Sequence, residues 1–198
     1  VIVNQTPTIA TNPVGSKCKG DTVQLIAQGA SDYTWVSSNP IYQNLGDTIY
    51  SIAANTGNIT YTVTGTSIEG CSSNKNISVT VNALPTVTGS DVATLCSGKT
   101  KVITGSGANF YTWALLDPLP SNNSNYLNSN SGSGVIFQGY NTFVDTIIKY
   151  VVTGTMDNGC SDMDTLSINI KKLPLVNLGP DTVTICAGTP ITLTVTPN

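Results

Sequence analysis

Along the chain apolar residues alternate with polar ones over short runs, and nowhere do they keep helical spacing for three turns. Val23, Leu25 and Ala27 alternate with Thr22, Gln24 and Ile26, and "YTWVS" (33–37), "TIYSIAA" (48–54), "ITYTVTG" (59–65) and "ISVTVN" (77–82) follow. Thr, Val and Ile are abundant throughout, as in strands that bury one face. The pattern predicts an all-β chain of short strands, six or seven to each stretch of 80-odd residues.

The pattern also repeats. "YTVTGTSIEGC" (61–71) returns as "YVVTGTMDNGC" (150–160), and Cys18 stands 17 residues before Trp35 as Cys96 stands 17 before Trp113. Each Tyr-to-Cys segment leads into an alternating run that ends in Leu-Pro, at Leu84-Pro85 and Leu173-Pro174. "GPDTVTICAG" (179–188) then repeats "GSDVATLCSG" (89–98), placing Cys186 where Cys96 stood. The expected organisation is the last strand of a preceding repeat over 1–6, full repeats over 7–85 and 86–174, and the start of a third, truncated repeat over 175–198. Trp35 and Trp113, on the strand after the first cysteine-led one, belong to the cores of immunoglobulin-like sandwiches joined end to end. The second repeat carries eleven extra residues between Trp and Cys, around the polar stretch 117–134. It also has Lys101 where Val23 points inward, which predicts a slipped or frayed strand there.

Composition narrows the chemistry. The 198 residues contain no His and no Arg, the eight basic residues are all Lys, Glu69 is the one Glu, and the net charge is −3. A chain without an Arg fork or a basic stripe is a poor partner for nucleic acid. Without His, and without a Gly-x-Ser-x-Gly or phosphate-binding loop, the sequence predicts no enzyme and no cofactor. No stretch reaches the roughly 20 apolar residues of a membrane helix.

The cysteines admit two explanations. A zinc site needs clustered ligands, yet the nearest two cysteines, Cys71 and Cys96, are 25 residues apart. The repeat phase predicts instead that Cys18–Cys71 and Cys96–Cys160 each close one sandwich at its end, leaving Cys186 unpaired. Persistent disulfides imply an oxidising, extracellular setting.

Asp157, Asn158, Asp162 and Asp164 crowd one turn with the oxygen ligands calcium takes, but an Asn-Gly turn flanked by solvated acids accounts for them and is preferred. No metal is expected. Tyr42, Tyr50, Tyr126, Tyr140 and Phe143 would stack on a sugar if they shared an exposed face; filling strand pairs and loop bases is the commoner use of such rings.

"C.G....L", "YTW", "Y.VTGT...GC", the "LP" junction and "G.D...IC.G" resemble the Ig-like or PKD-like tandem repeats of very large cell-surface proteins in the Bacteroidota, among them gliding-motility adhesins exported by the type IX secretion system. The resemblance implies a non-catalytic stalk at the cell surface that carries a binding tip outward or transmits force. Its partners would be neighbouring repeats of the same chain, surface polysaccharide or other cell-surface proteins. Two alternatives are a carbohydrate-binding or spacer module of a secreted hydrolase and a subunit of a polymeric surface filament.

Asp-Thr followed by Val, Ile or Leu occurs at 21–23, 47–49, 145–147, 164–166 and 181–183. It resembles the O-glycosylation sequon of exported Bacteroidota proteins, although Asp ending a turn and Thr opening a strand would produce the same triplet. Strand parity ranks Thr22, Thr165 and Thr182 as solvent-facing candidates, with Thr146 sharing the parity of Tyr150 and Thr48 ambiguous.

Overall fold

The structure, a computed structural model, describes residues 2–90, 94–116, 126–139, 141–177, 182–192 and 196–197. Every regular element among them is a β-strand. The chain divides into two compact units, Val1–Thr86 with Thr155–Asp162, and Val87–Gly154 with Met163–Asn198.

The first unit holds β1 (Ala10–Thr11), β2 (Lys17–Cys18), β3 (Thr22–Gln28), β4 (Asp32–Ser37), β5 (Ile41–Asn44), β6 (Thr48–Ile52), β7 (Gly57–Thr66) and β8 (Ser72–Asn82). They form two sheets, ordered β1-β3-β6-β5 and β2-β8-β7-β4. This is the partition of an immunoglobulin-like sandwich, with the first strand split so that β1 runs antiparallel to β3 and β2 parallel to β8. Alternation does the rest: Val23, Leu25, Ala27, Ile49, Tyr61, Val63 and Val79 turn inward and are essentially inaccessible, with Trp35 closing the core. Leu25 and Val63 are fully buried within it.

The second unit uses β9 (Thr88–Gly89), β10 (Leu95–Cys96), β11 (Lys101–Ser106), β12 (Phe110–Leu115), β13 (Gly134–Phe137), most of β14 (Thr146–Thr155) and β15 (Ser161–Lys171), and the short pair β16 (Val176–Asn177) and β17 (Thr196–Pro197). Its sheets run β13-β11-β9 and β10-β15-β14-β12 around a core containing Ile103, Trp113, Phe137, Ile148, Tyr150, Val152 and Ile168. Of the two expectations at Lys101, a slip does not occur and the strand is frayed at its first residue. Lys101 opens β11 in register with Phe137, and Ile103 and Gly105 keep the same inward parity, so only the strand's first side chain emerges.

Three tethers recur in both repeats. Tyr33 Oη accepts from Ala30 N at 2.8 Å and donates to Ala30 O at 3.0 Å; Tyr111 Oη does the same to Ala108 at 2.7 Å and 2.7 Å. Trp35 Nε1 donates to Gly46 O and Trp113 Nε1 to Gly132 O, each at 2.9 Å. The longer second repeat therefore still brings a glycine carbonyl to its Trp. Gly65 faces Ile9 and Ala30 as Gly154 faces Val87 and Ala108.

Candidate functional site

The cysteines occupy two kinds of turn. Cys18, Cys96 and Cys186 each open a turn in which a backbone N–H three residues on donates to the cysteine carbonyl, from Asp21, Lys99 and Thr189. Gly20, Gly98 and Gly188 hold left-handed φ values of 95°, 78° and 83° in these turns. Cys71 and Cys160 close the tips of the β7–β8 and β14–β15 hairpins. There Ser67 N and Met156 N donate to the cysteine carbonyl at 2.9 Å, and Gly70 and Gly159 take φ of 83° and 85°.

The structure corrects the expected pairing. Cys18 is bonded to Cys160, 142 residues away, while Cys71, Cys96 and Cys186 carry free thiols. Neither Cys18–Cys71 nor Cys96–Cys160 forms, and strand length gives the reason. Cys18 pairs with Asn82 at the far end of β8, whereas Cys71 precedes Ser72 at its beginning. Ten residues of strand separate those ends by about 33 Å. A disulfide needs Cα atoms within about 7 Å. Cys96 likewise lies opposite Lys171 at the end of β15, and Cys160 precedes its start at Ser161. Both bonded sulfurs belong to the first compact unit, which takes in Thr155–Asp162.

Of the candidate threonines, Thr22, Thr165 and Thr182 are exposed, while Thr48 and Thr146 are half-buried. Three of the aspartates beside them, Asp21, Asp145 and Asp164, have structural work. Asp21 Oδ2 accepts from Cys18 N at 2.8 Å; Asp164 accepts from Gly89 N and Thr165 N, both at 2.8 Å. Asp145 accepts from Lys171 Nζ at 2.7 Å and from Lys172 N at 3.0 Å. The Lys171 hydrogen bond and then the Lys172 amide, with lesser help from the two lysine charges, hold the Asp145 carboxyl below its ordinary range against the opposing effect of desolvation. Asp181 lies outside the described residues.

The aromatic residues do not converge. Tyr126 packs edge-on against Phe137, with ring centres 6.2 Å apart, at the margin of the second core; Phe143 is exposed, and Tyr140 lies outside the described residues. Tyr42 and Tyr50 do meet, with ring centres 6.3 Å apart, and Gln24 Nε2 donates to Tyr50 Oη at 3.0 Å. Beside them lies an open groove of about 380 Å³ lined by Asn12, Lys17, Gln24 and Tyr50 among others. At the acidic turn, Asn158 Oδ1 accepts from Cys160 N at 3.1 Å. Among the described residues no group of three or more His, Cys, Asp or Glu side chains is placed to hold a metal ion, and no helix is long and apolar enough to cross a membrane.

Sequence reasoning missed the Ala-to-Tyr tethers, although Ala-x-x-Tyr-Thr-Trp occurs at both 30–35 and 108–113. It also missed the Asp145–Lys171 pair, for which no repeated signal exists: the first repeat has Thr56 and Asn82 at those places.

No family model and no curated protein matches the chain. Solved structures do. The N-terminal Ig1-2 module of the Drosophila receptor protein tyrosine phosphatase DLAR is 10% identical, with a TM-score of 0.34, covering 84% of this chain and 100% of that one. The Clostridium thermocellum CbhA fibronectin(III)-like modules are 12% identical, with a TM-score of 0.38, covering 83% and 95%. Protocadherin gamma B2 extracellular cadherin domains 3–6 are 11% identical, with a TM-score of 0.36, covering 90% and 53%. The assignment of tandem immunoglobulin-like sandwiches rests on the chain's own sheets and cores.

Proposed function

We propose that the chain is a non-catalytic structural stalk segment of a large secreted or cell-surface adhesin, in which residues 7–85 and 86–174 are successive repeats. The observation that carries this is the bond from Cys18 of one repeat to the hairpin-tip Cys160 of the next. A covalent tie between consecutive repeats serves the mechanics of an array, and the disulfide suits an extracellular setting. Neighbouring repeats are then the segment's first partners, with surface polysaccharide or other cell-surface proteins engaged elsewhere in the molecule. Glycans on the exposed Thr22, Thr165 and Thr182 would shield strand edges of such a stalk.

Exchange within the parent protein tests the stalk. An unrelated two-domain sandwich of similar length in place of this segment keeps adhesion, because a stalk contributes span; loss of adhesion on exchange, with surface display intact, overturns the proposal. Intact-mass analysis of native protein tests the glycans through hexose-sized increments mapped to those threonines. The Tyr42–Tyr50 pair and its groove favour one second reading, a weak sugar-binding face. Polysaccharide retention that disappears in Tyr42→Ala would support it.

A further inference from the structure

The chain holds three cysteines in the opening position and two at hairpin tips, and the single bond joins the opener of one repeat to the tip of the repeat that follows. The unbonded ones are built alike. Cys96 sits opposite Lys171 as Cys18 sits opposite Asn82, and the next residue's N–H, from Ser97 or Lys19, donates to that partner's carbonyl at 2.9 Å and 2.8 Å respectively. Cys71 is held in the same tip turn as Cys160. Its sulfur also marks where an opener belongs. Cys71 Sγ lies 3.8 Å from Asn4 O. Asn4 aligns with Asn82, 78 residues on, which is the residue that registers against Cys18. The free tip thiol is therefore already beside the backbone position that would seat an opening cysteine.

We propose that Cys71 and Cys96 are the two open halves of this same bond and that their partner is a second copy of the repeat pair, joined head to tail with Cys96 of one copy bonded to Cys71 of the next. The inference deepens the stalk proposal, on which it rests for its biological setting, by naming the partner and the atoms that meet. Because the two halves differ, the contact is heterologous and each copy leaves a fresh half at either end. Bond formation needs a disulfide oxidant such as oxidised glutathione. One cysteine thiolate attacks it and releases one glutathione thiol; the second cysteine thiolate then displaces the other. Two cysteine thiols are oxidised, and their two protons end on the two glutathione thiols formed.

The experiment uses the full chain carrying Cys186→Ser, which removes the third opener while Cys18–Cys160 stays intact, in a glutathione redox buffer at high protein concentration. Non-reducing electrophoresis should show a ladder at multiples of 20.6 kDa, and peptide mapping should join the Cys71 peptide to the Cys96 peptide. Cys71→Ser or Cys96→Ser, each alone, should lose every species above monomer. Mixing the two variants should give dimers and nothing longer, since one opener and one tip remain between them. Monomers only, whether with free, glutathionylated or internally joined Cys71 and Cys96, would overturn the proposal. So would dimers from either single variant alone, which would mean like-with-like bonding. None of these outcomes bears on the exchange experiment that tests the stalk.

Discussion

The hairpin tips at 67–71 and 156–160 are the same piece of chain twice, with matching turn hydrogen bonds and a left-handed glycine at the same place. Yet Cys160 is fully buried in a bond to Cys18, while Cys71 is half-exposed with a free thiol beside Asn4 O. Local sequence shapes the turn and aims the sulfur. Whether the sulfur is bonded depends on whether an opening cysteine stands opposite. The two cores show a related division. Where the first sandwich places Ser51, which accepts from Tyr61 Oη at 3.0 Å and donates to Pro40 O at 2.9 Å, the second places Phe137 against the ring of Tyr150 with centres 6.4 Å apart. One repeat completes that corner with hydrogen bonds, the other with aromatic area.

The strongest way to separate the tips is to remove each sulfur. Cys160→Ser opens a ring spanning 142 residues, and the loop-entropy model puts the loss at about 5 kcal/mol. The urea midpoint of the first unit should fall accordingly, while Cys71→Ser should stay within about 0.5 kcal/mol of the parent. Equal drops would mean that the tip cysteines matter through packing. The core corner comes next. Phe137→Ala should cost about 3–5 kcal/mol, as truncating a buried ring does. Ser51→Ala at the matching position should cost about 1–3 kcal/mol, through a buried Tyr61 hydroxyl left without its acceptor. A reversed order in thermal melts would break the contrast between them.

Glycines test where the repeats are equal. A Cβ on Gly65 would run into Ile9 Cδ1 and lie 2.8 Å from Ala30 Cβ; one on Gly154 would lie 2.5 Å from Val87 Cγ2 and 2.8 Å from Ala108 Cβ. Gly65→Ala and Gly154→Ala should each cost about 1–3 kcal/mol by overpacking, and denaturant titration should find the two alike. The smallest effect is electrostatic. Asp145 is held below the ordinary carboxylate range, so its contribution is present above about pH 4 and lost as pH falls through the lowered value. The second unit should therefore lose slightly more stability than the first on acidification, and Asp145→Asn or high salt should erase the difference in pH-dependent melts.

Much of the fold was legible because alternation and repetition are local signals. The inward parity of Val23, Leu25 and Ala27 and the solvent-facing side chains of Thr22 and Thr165 follow from counting by twos, and the core position of both Trp residues from their place in the repeat. Cysteine pairing is not local. Counting from Cys18 to Cys71 suggested closure at one end, but the eleven-residue β8 between the Cys71 turn and Asn82 carries the two cysteines to opposite ends. The length of the alternating run after "GC" contained that information. At Lys101 a charged residue at an inward parity left a slip and a fray both open, and the first residue of the strand reaches solvent without shifting its neighbours.

The bond between Cys18 and Cys160 also changes what a broken backbone means. A protease that cuts one peptide bond anywhere between those residues leaves both fragments on the same molecule, held through sulfur. If Cys71 and Cys96 each hold a second copy, the stretch 71–96 through which the copies are joined lies inside the Cys18–Cys160 ring. One nick between the two linking sulfurs would then leave the joined copies connected through the Cys18–Cys160 bond. Such a surface fibre would wear by losing order locally and would part only after reduction or two cuts within the same ring.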